Sequence, residues 1–378
     1  MWSQTLPHCS LAWRCGRLLS KRIKLKQQTY CRGFHSSPTM FLFWRNGKNV
    51  GLGAFPTTME SRARLHDGRS LLDRYVFVKT LENYYDDVPS GIILDTAYAD
   101  SQPNEDFDPI TPVVVGLHDT PGSHKDLAPI LNTFAKLGCR TIAPTFPGHG
   151  DTQGLLQGYD DVFSHSSTER AIFVHDFLID LGIQRVDLLI GVGASCYTIM
   201  RMCAGFDSTE YYRSIALISP WPLTRPRFEK DLEASKKLQL LWDRPFFRLP
   251  MRMFLSGYRV GEASTPRDKV TTAYLLNNLD LGEAAGSALA TSATNVPRTV
   301  IYGGMDPEVS EDLYNDLLDK LEIPQRNVAA FRGKLDAPLL PGALKFPDGG
   351  YDLHLQHPGI ISVYLLNLIK LFHPHIRI

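Results

Sequence analysis

Leu188-Leu189-Ile190-Gly191-Val192-Gly193-Ala194-Ser195-Cys196-Tyr197 is the stretch that decides how this chain folds. Residues 186–190 read as a buried strand, the glycines as a tight turn, and 194–204 as a helix. The same alternation continues on both sides. Upstream, 112–117 is a continuous apolar run, the pattern of a strand covered on both faces. A helix is expected over 125–137 and a short strand over 140–144. Ser166-Ser167-Thr168-Glu169 fits a capping box that opens a helix running to about 181. Earlier still, 75–80 and 92–98 read as strands joined by an acidic turn, and 104–108 as a polar loop. Downstream, strands are expected over 213–219 and 298–302. Strands alternating with helices predict an α/β fold, a doubly wound and mostly parallel sheet. Its functional loops lie at the carboxyl ends of the strands.

Between residues 221 and 296 the alternation stops, and a stretch rich in Leu, Phe, Met and Arg reads as several short helices. Its place between two core strands makes 222–296 a helical cap over the sheet rather than a separate domain. The run 360–372 contains Asn367 and Lys370 and is too short to span a bilayer, so it reads as a last packing helix and no transmembrane segment is expected.

The formal net charge of zero hides an asymmetry. No Asp or Glu precedes Glu60, while Arg14, Arg17, Lys21, Arg22, Lys24, Lys26 and Arg32 crowd the start. Without residues 1–34, Lys and Arg fall from 40 to 33 against 40 acids, a net charge of −7. An acidic body gives no reason to expect nucleic-acid binding. The basic, acid-free start has the composition of a transit peptide, and Cys31-Arg32-Gly33-Phe34-His35-Ser36-Ser37 resembles a mitochondrial processing site. The expected organisation is a transit peptide over 1–34, a linker or poorly ordered segment over 35–70, and one α/β domain over 71–378, in the mitochondrial matrix. Cys9, Cys15 and Cys31 lie in the leader; Cys139, Cys196 and Cys203 are too few for a disulfide framework or a metal knuckle. No metal set, dinucleotide fingerprint or P-loop appears, so no cofactor is expected.

Three segments resemble the α/β-hydrolase superfamily. Leu117-His118-Asp119-Thr120-Pro121-Gly122 resembles its oxyanion loop, Phe146-Pro147-Gly148-His149-Gly150 a common turn of the superfamily, and Gly191-Val192-Gly193-Ala194-Ser195 its nucleophile elbow. The wording Pro121-Gly122-Ser123-His124-Lys125-Asp126, with Cys196 past the elbow, is similar to a nematode-centred family of α/β-hydrolase-like proteins. The resemblance runs from about residue 76 to 372. It implies an α/β-hydrolase fold with Ser, Asp and His at the ends of three strands.

The implied triad is degenerate here. In the Gly-x-Ser-x-Gly register, Gly191 takes the first glycine and Gly193 the serine's place, leaving the elbow without a nucleophile. A second register makes Ser195 the nucleophile but puts Tyr197 on the last glycine. The segment 346–355 aligns Tyr351 with the expected histidine, and a phenol is a poor general base at neutral pH. His354 and His357 lie one and two helical turns away. Asp306, in Tyr302-Gly303-Gly304-Met305-Asp306, stands at the acid's place, though Asp306-Pro307-Glu308 also reads as an N-cap before a helical run over 309–321. In the oxyanion loop formed by His118, Asp119 and Thr120, Asp119 replaces a usual glycine. A carboxylate there opposes developing negative charge, unless Asp119 is a turn residue pointing to solvent.

The expected function is therefore that of a non-catalytic pseudo-hydrolase that binds a ligand or serves as a scaffold. An apolar or acyl-type small molecule between sheet and cap, against Leu238, Leu240, Leu241, Trp242, Phe246, Phe247 and Phe254, is one occupant, and a protein partner another. Those residues equally suit the cap's own core. The alternative is a serine hydrolase of esterase, thioesterase or lipase type, using Ser195, Asp306 and a relocated His354 or His357. A third reading is cofactor-independent lyase or dioxygenase chemistry on His118, His149, Asp119 and Tyr351.

Overall fold

Val113, Val114 and Val115 are almost wholly buried, as a strand covered on both faces must be. A computed structural model describes residues 70–376, with breaks at 87, 104, 155–162, 206–207, 230–231, 258–264 and 336–338. Apart from Ser70, the leader and linker expected over 1–70 lie outside the described residues.

The described strands are β1 (Leu72–Thr80), β2 (Ile92–Asp100), β3 (Val113–Leu117), β4 (Arg140–Pro144), β5 (Leu188–Val192), β6 (Ile215–Ile218), β7 (Arg298–Gly303), β8 (Val328–Ala330) and β9 (Gly342–Phe346). They form one sheet in the order β1-β2-β4-β3-β5-β6-β7-β9-β8. β2 runs antiparallel to β4, and from β4 onward every pairing is parallel. The fold class matches the expected doubly wound sheet. Within residues 81–92 the Asn83 N–H donates to the Pro89 carbonyl (3.0 Å) and Tyr84 meets Tyr85 edge to face.

Helices cover both faces. α1 (Ala128–Lys136) packs with the last helix, while α2 (Ser167–Asp180) and α3 (Ser195–Gly205) pack together on the other face. The Ser166/Glu169 capping box opens α2 as expected. The helix expected over 125–137 is split, because Ser123 and Asp126 form their own capping box on a 3-10 turn and Pro129 sits in the first turn of α1. β5 begins two residues later than expected. Asp187 is held before the strand, accepting the Val113 N–H (2.9 Å) and pairing with Arg185, Arg213 and His373.

The insertion supplies α4 (Leu232–Trp242), α5 (Pro245–Gly257), α6 (Pro266–Asn277) and α7 (Leu281–Ser292). Leu238, Trp242, Leu255, Val270, Ala273 and Tyr274 make a small core of their own among α4, α5 and α6. α7 instead packs on α3, where Thr291 Oγ1 donates to the Met200 carbonyl (3.1 Å), so it joins the helical layer of the sheet. Thr271 of α6 ties the insertion down by donating to the Gly148 carbonyl (3.0 Å) in the turn after β4. Two longer helices follow the insertion, α8 (Glu311–Lys320) and α9 (Pro358–Lys370). α9 packs its Ile361, Tyr364, Leu365 and Leu368 with Leu131 and Phe134 of α1 against the sheet. Each such side chain contributes about 1.5–3 kcal/mol by leaving water. Among the described residues no helix is long and apolar enough to cross a membrane.

Candidate functional site

The turn after β5 brings the chain's chemistry to the carboxyl end of the sheet, where a doubly wound fold binds ligands. Gly191 lies so close to α3 that a Cβ on it would sit 2.7 Å from Ile199 Cδ1. Gly193 stands at the apex with φ +60, a conformation that costs a side-chain-bearing residue but not glycine. A Cβ on Gly193 would collide with the carboxylate of Asp119 and the hydroxyl of Tyr351. The space a nucleophile's side chain would need is filled by two other residues.

Asp119 reaches that space from the loop after β3. One carboxylate oxygen, Oδ1, accepts the N–H of Ala194 at 2.7 Å, and the other, Oδ2, accepts the Tyr351 hydroxyl. The Thr120 N–H also supports the carboxylate. In a hydrolase elbow, the N–H after the nucleophile and an N–H of the β3 loop stabilise the oxyanion. Here both donors are turned onto a resident carboxylate. Asp119 thus faces the elbow rather than solvent. Burial pushes its carboxyl up to about 6, against the opposing pull of these hydrogen bonds.

Tyr351 arrives from the loop after β9. Its hydroxyl donates to Asp119 and accepts from Trp221 Nε1 (3.0 Å), and its carbonyl accepts from Ser219 Oγ (2.6 Å). Burial first, and Asp119 next, hold the phenol well above its ordinary value, so it stays protonated and serves as a donor rather than a base. Over its ring lies the Arg227 guanidinium, 3.5 Å from the centroid. Arg227 also donates from Nη1 to Asp306 Oδ2 at 2.8 Å.

Asp306 occupies the acid's place after β7, but it holds no histidine. Oδ1 accepts the N–H groups of Glu308 (2.9 Å) and Val309 (3.2 Å), and Oδ2 accepts Arg227 and the Tyr314 hydroxyl (3.1 Å). The expected capping role is therefore displaced: Asp306 caps a turn, and α8 starts later with Ser310 as its N-cap. Asp119, Tyr351, Arg227 and Asp306 form one continuous chain of contacts across the ends of β3, β9, β6 and β7.

Ser195 lies inside the fold with no exposed surface. Its hydroxyl is placed for the carbonyls of Leu117 and Val192 (2.9 Å each) and accepts the Val192 N–H (2.8 Å). These bonds fix the elbow to β3 and leave Ser195 as a brace, not an exposed hydroxyl. Cys196 is also fully buried, and burial holds its thiol well above the ordinary range. His354 is buried too, its Nδ1 has no hydrogen-bond partner, and burial lowers it to about 4. His357 stacks on Phe346 at 4.9 Å. Neither histidine is a hydrogen-bond partner of Ser195 or Asp306, so the relocated triad is not assembled.

His118 is wholly buried and braces the oxyanion loop. Its Nδ1 bonds the Asp119 carbonyl and its Nε2 accepts the Phe146 N–H (2.9 Å), while burial holds it well below its ordinary value. His149 is pushed down to about 4 by burial and lies 3.4 Å from Arg170. Arg170, from α2, donates to Thr120 Oγ1 (2.8 Å) and stacks on Phe146. A cavity of about 10 Å³ borders Ala194, Arg170 and His165, room for one water. Leu238 and Trp242 belong to the core of the insertion, whereas Leu240, Phe246, Phe247 and Phe254 are exposed.

Sequence reasoning did not single out Trp221, Arg227, Arg170 or Tyr314. Arg227 is one of nine basic residues between 225 and 259, and nothing in its neighbours sets it apart. Its position nine residues past β6, at the ligand-binding end of the sheet, was the available signal.

Residues 79–212 match a family model described as an alpha/beta hydrolase of unknown function (DUF1057). No curated protein matches the sequence. Among solved structures, the chain is similar to a haloalkane dehalogenase, the DbeA-M1 loop variant from Bradyrhizobium elkanii. That likeness has a TM-score of 0.55 and 15% identity, over 81% of this chain and 98% of that one. It is also similar to a bacterial membrane phospholipase A, with a TM-score of 0.50 and 14% identity over 80% and 86% of the two chains. The enol-lactonase from Burkholderia xenovorans LB400 gives 0.50 and 12% identity, over 74% and 96%. At such identities the likeness establishes the fold. This chain has the α/β-hydrolase fold.

Proposed function

We propose that this α/β-hydrolase-fold protein does not hydrolyse esters and instead binds or scaffolds, in mitochondria. One observation carries the reading: the Asp119 carboxylate and the Tyr351 hydroxyl fill the space above Gly193, and Asp119 holds the Ala194 N–H. A substrate carbonyl would meet negative charge where a hydrolase offers donors. Losing the nucleophile or the base alone removes nearly all triad catalysis, so a retained Asp306 rescues little. The acid-free, basic stretch over 1–34 supports the mitochondrial assignment.

The test is a fluorophosphonate probe and a panel of acyl esters, applied to the wild-type chain, Ser195→Ala, and the triple variant Gly193→Ser/Asp119→Gly/Tyr351→His. No labelling and no turnover in the first two is expected. Labelling that disappears in Ser195→Ala would overturn the reading and make the protein a serine hydrolase. Fractionation of cells expressing the full chain, with amino-terminal sequencing, tests location. Cytosolic protein that keeps Met1 would refute it.

A further inference from the structure

The outer face of α5 has more apolar surface in water than any packing need of the fold explains. Phe246 is 86% exposed, Leu249 68% and Met253 75%. Their spacing, i, i+3 and i+7, puts them in one stripe. The opposite side of the same helix is already satisfied, since Leu255 is buried in the core of the insertion and Met251 packs against it. α5 is therefore apolar on two sides, and only one side has a protein partner within this core.

Charge defines what fits the other side. Arg252 lies on the flank of the stripe, its guanidinium over the Trp242 ring, while Arg248 turns toward the core side, its Nε donating to the Trp242 carbonyl (3.0 Å). Arg244 precedes the helix, and Lys236 and Lys237 lie on neighbouring α4. From 232 to 257 there are five Lys or Arg against Glu233 and Asp243, a local net charge of +3 in a body that is acidic overall. A bare aromatic and aliphatic stripe edged by arginines matches a helix lying in the plane of an anionic bilayer, with apolar side chains among the acyl chains and guanidinium groups at the phosphates. A second copy of this chain fits less well, since pairing the stripes about a two-fold axis would bring both sets of arginines to one rim.

We propose that α5 docks the protein on the surface of an anionic lipid bilayer, Phe246, Leu249 and Met253 inserting and Arg244 and Arg252 meeting lipid phosphates. The inference stands apart from the absence of turnover and does not depend on it.

Flotation of the full chain with vesicles of phosphatidylcholine alone, or of phosphatidylcholine with phosphatidylserine, reads the docking directly. Binding to the anionic vesicles, weakened by salt and small on neutral ones, is expected. Phe246→Ser/Leu249→Ser/Met253→Ser should lower partitioning at least about tenfold, with the thermal unfolding curve unchanged because all three residues are exposed. Arg244→Glu/Arg252→Glu keeps the stripe and should lose the preference for anionic lipid. Three results would overturn the proposal. One is no flotation of the wild type. Another is binding that the triple variant retains in full, which would assign it to the basic stretch over 1–34. The last is a wild-type dimer that the triple variant splits, which would assign the stripe to self-association.

Discussion

Gly193 and Asp119 exclude one another's larger partners, and a stability cycle can measure that exclusion. Gly193→Ser places a Cβ where the Asp119 carboxylate and Tyr351 hydroxyl now lie. It also puts a side chain at φ +60. The left-handed conformation costs about 1–2 kcal/mol and the forced displacement of packed neighbours about 1–3 kcal/mol. Loss of glycine's freedom in the unfolded chain returns about 0.4–1 kcal/mol. The single variant should therefore lose about 1–5 kcal/mol, read as a lower urea midpoint at unchanged slope. Asp119→Gly also destabilises, because it strips partners from the Ala194 N–H and from Tyr351. In Gly193→Ser/Asp119→Gly the collision with Asp119 disappears, while the collision with the Tyr351 hydroxyl and the backbone part stay. The double variant should be more stable than the sum of the singles by about 1–3 kcal/mol. Additivity within about 0.5 kcal/mol would refute the claim that Asp119 occupies the nucleophile's space.

Four other outcomes follow from the same contacts. Tyr351→Phe leaves Trp221 Nε1 and Asp119 Oδ2 short of a partner and should cost about 1–3 kcal/mol of unfolding free energy by denaturant titration. Arg227→Gln uncovers a buried carboxylate at Asp306 and should cost about 3–5 kcal/mol, with Arg227→Lys recovering only part because it cannot both pair and stack. Asp119 titrates near 6 in the folded chain against an ordinary 3.8, so the folded state holds this proton longer. The stability this provides is complete below about pH 4 and lost as pH rises through about 6, a loss of roughly 2–3 kcal/mol that Asp119→Asn should remove from unfolding curves taken at pH 4 to 8. Ser195→Ala should lower stability by about 1–2 kcal/mol through its lost backbone bonds and leave any trace of ester turnover unchanged.

The fold was legible because its signals are local and repeated. A strand buried on both faces is expected to be apolar throughout, and 112–117 obeys that rule residue for residue. The Ser166/Glu169 capping box fixed the start of α2 for the same reason, since a helix end must satisfy its free N–H groups nearby in sequence. Boundaries slipped where long-range bonds decide them. Asp187 is tied to Val113, Arg213 and His373, none of them near in sequence, and the strand starts after it. β8 has three residues, too few for a periodic pattern to register. At the site, the places of Gly193, Tyr351 and Asp306 could be read from motif order, because motif order mirrors strand order. Their partners could not. Whether Asp119 faced water or the elbow was an even choice from sequence, since turn chemistry suits both directions and only the packing of Tyr351 decides.

Those partners also bear on whether a triad could be built into the site one residue at a time. A serine at 193 needs the volume that Asp119 and Tyr351 share. A histidine at 351 would lose the hydroxyl that bonds Asp119 and Trp221, and a cationic ring there would face Arg227. A glycine at 119 would free the Ala194 N–H but leave Tyr351 a donor short of its acceptor. Arg227 in turn holds Asp306, so the carboxylate that would orient a histidine is already committed to a full ion pair. Each single substitution therefore meets a neighbour that fits the present residue, and each should lose stability without gaining turnover. Only coordinated changes at 119, 193 and 351, with Arg227 replaced by a neutral residue, remove every conflict at once. Coupling of this kind is what a site stabilised by its own internal contacts requires, because the groups that would act on a substrate are bonded to one another.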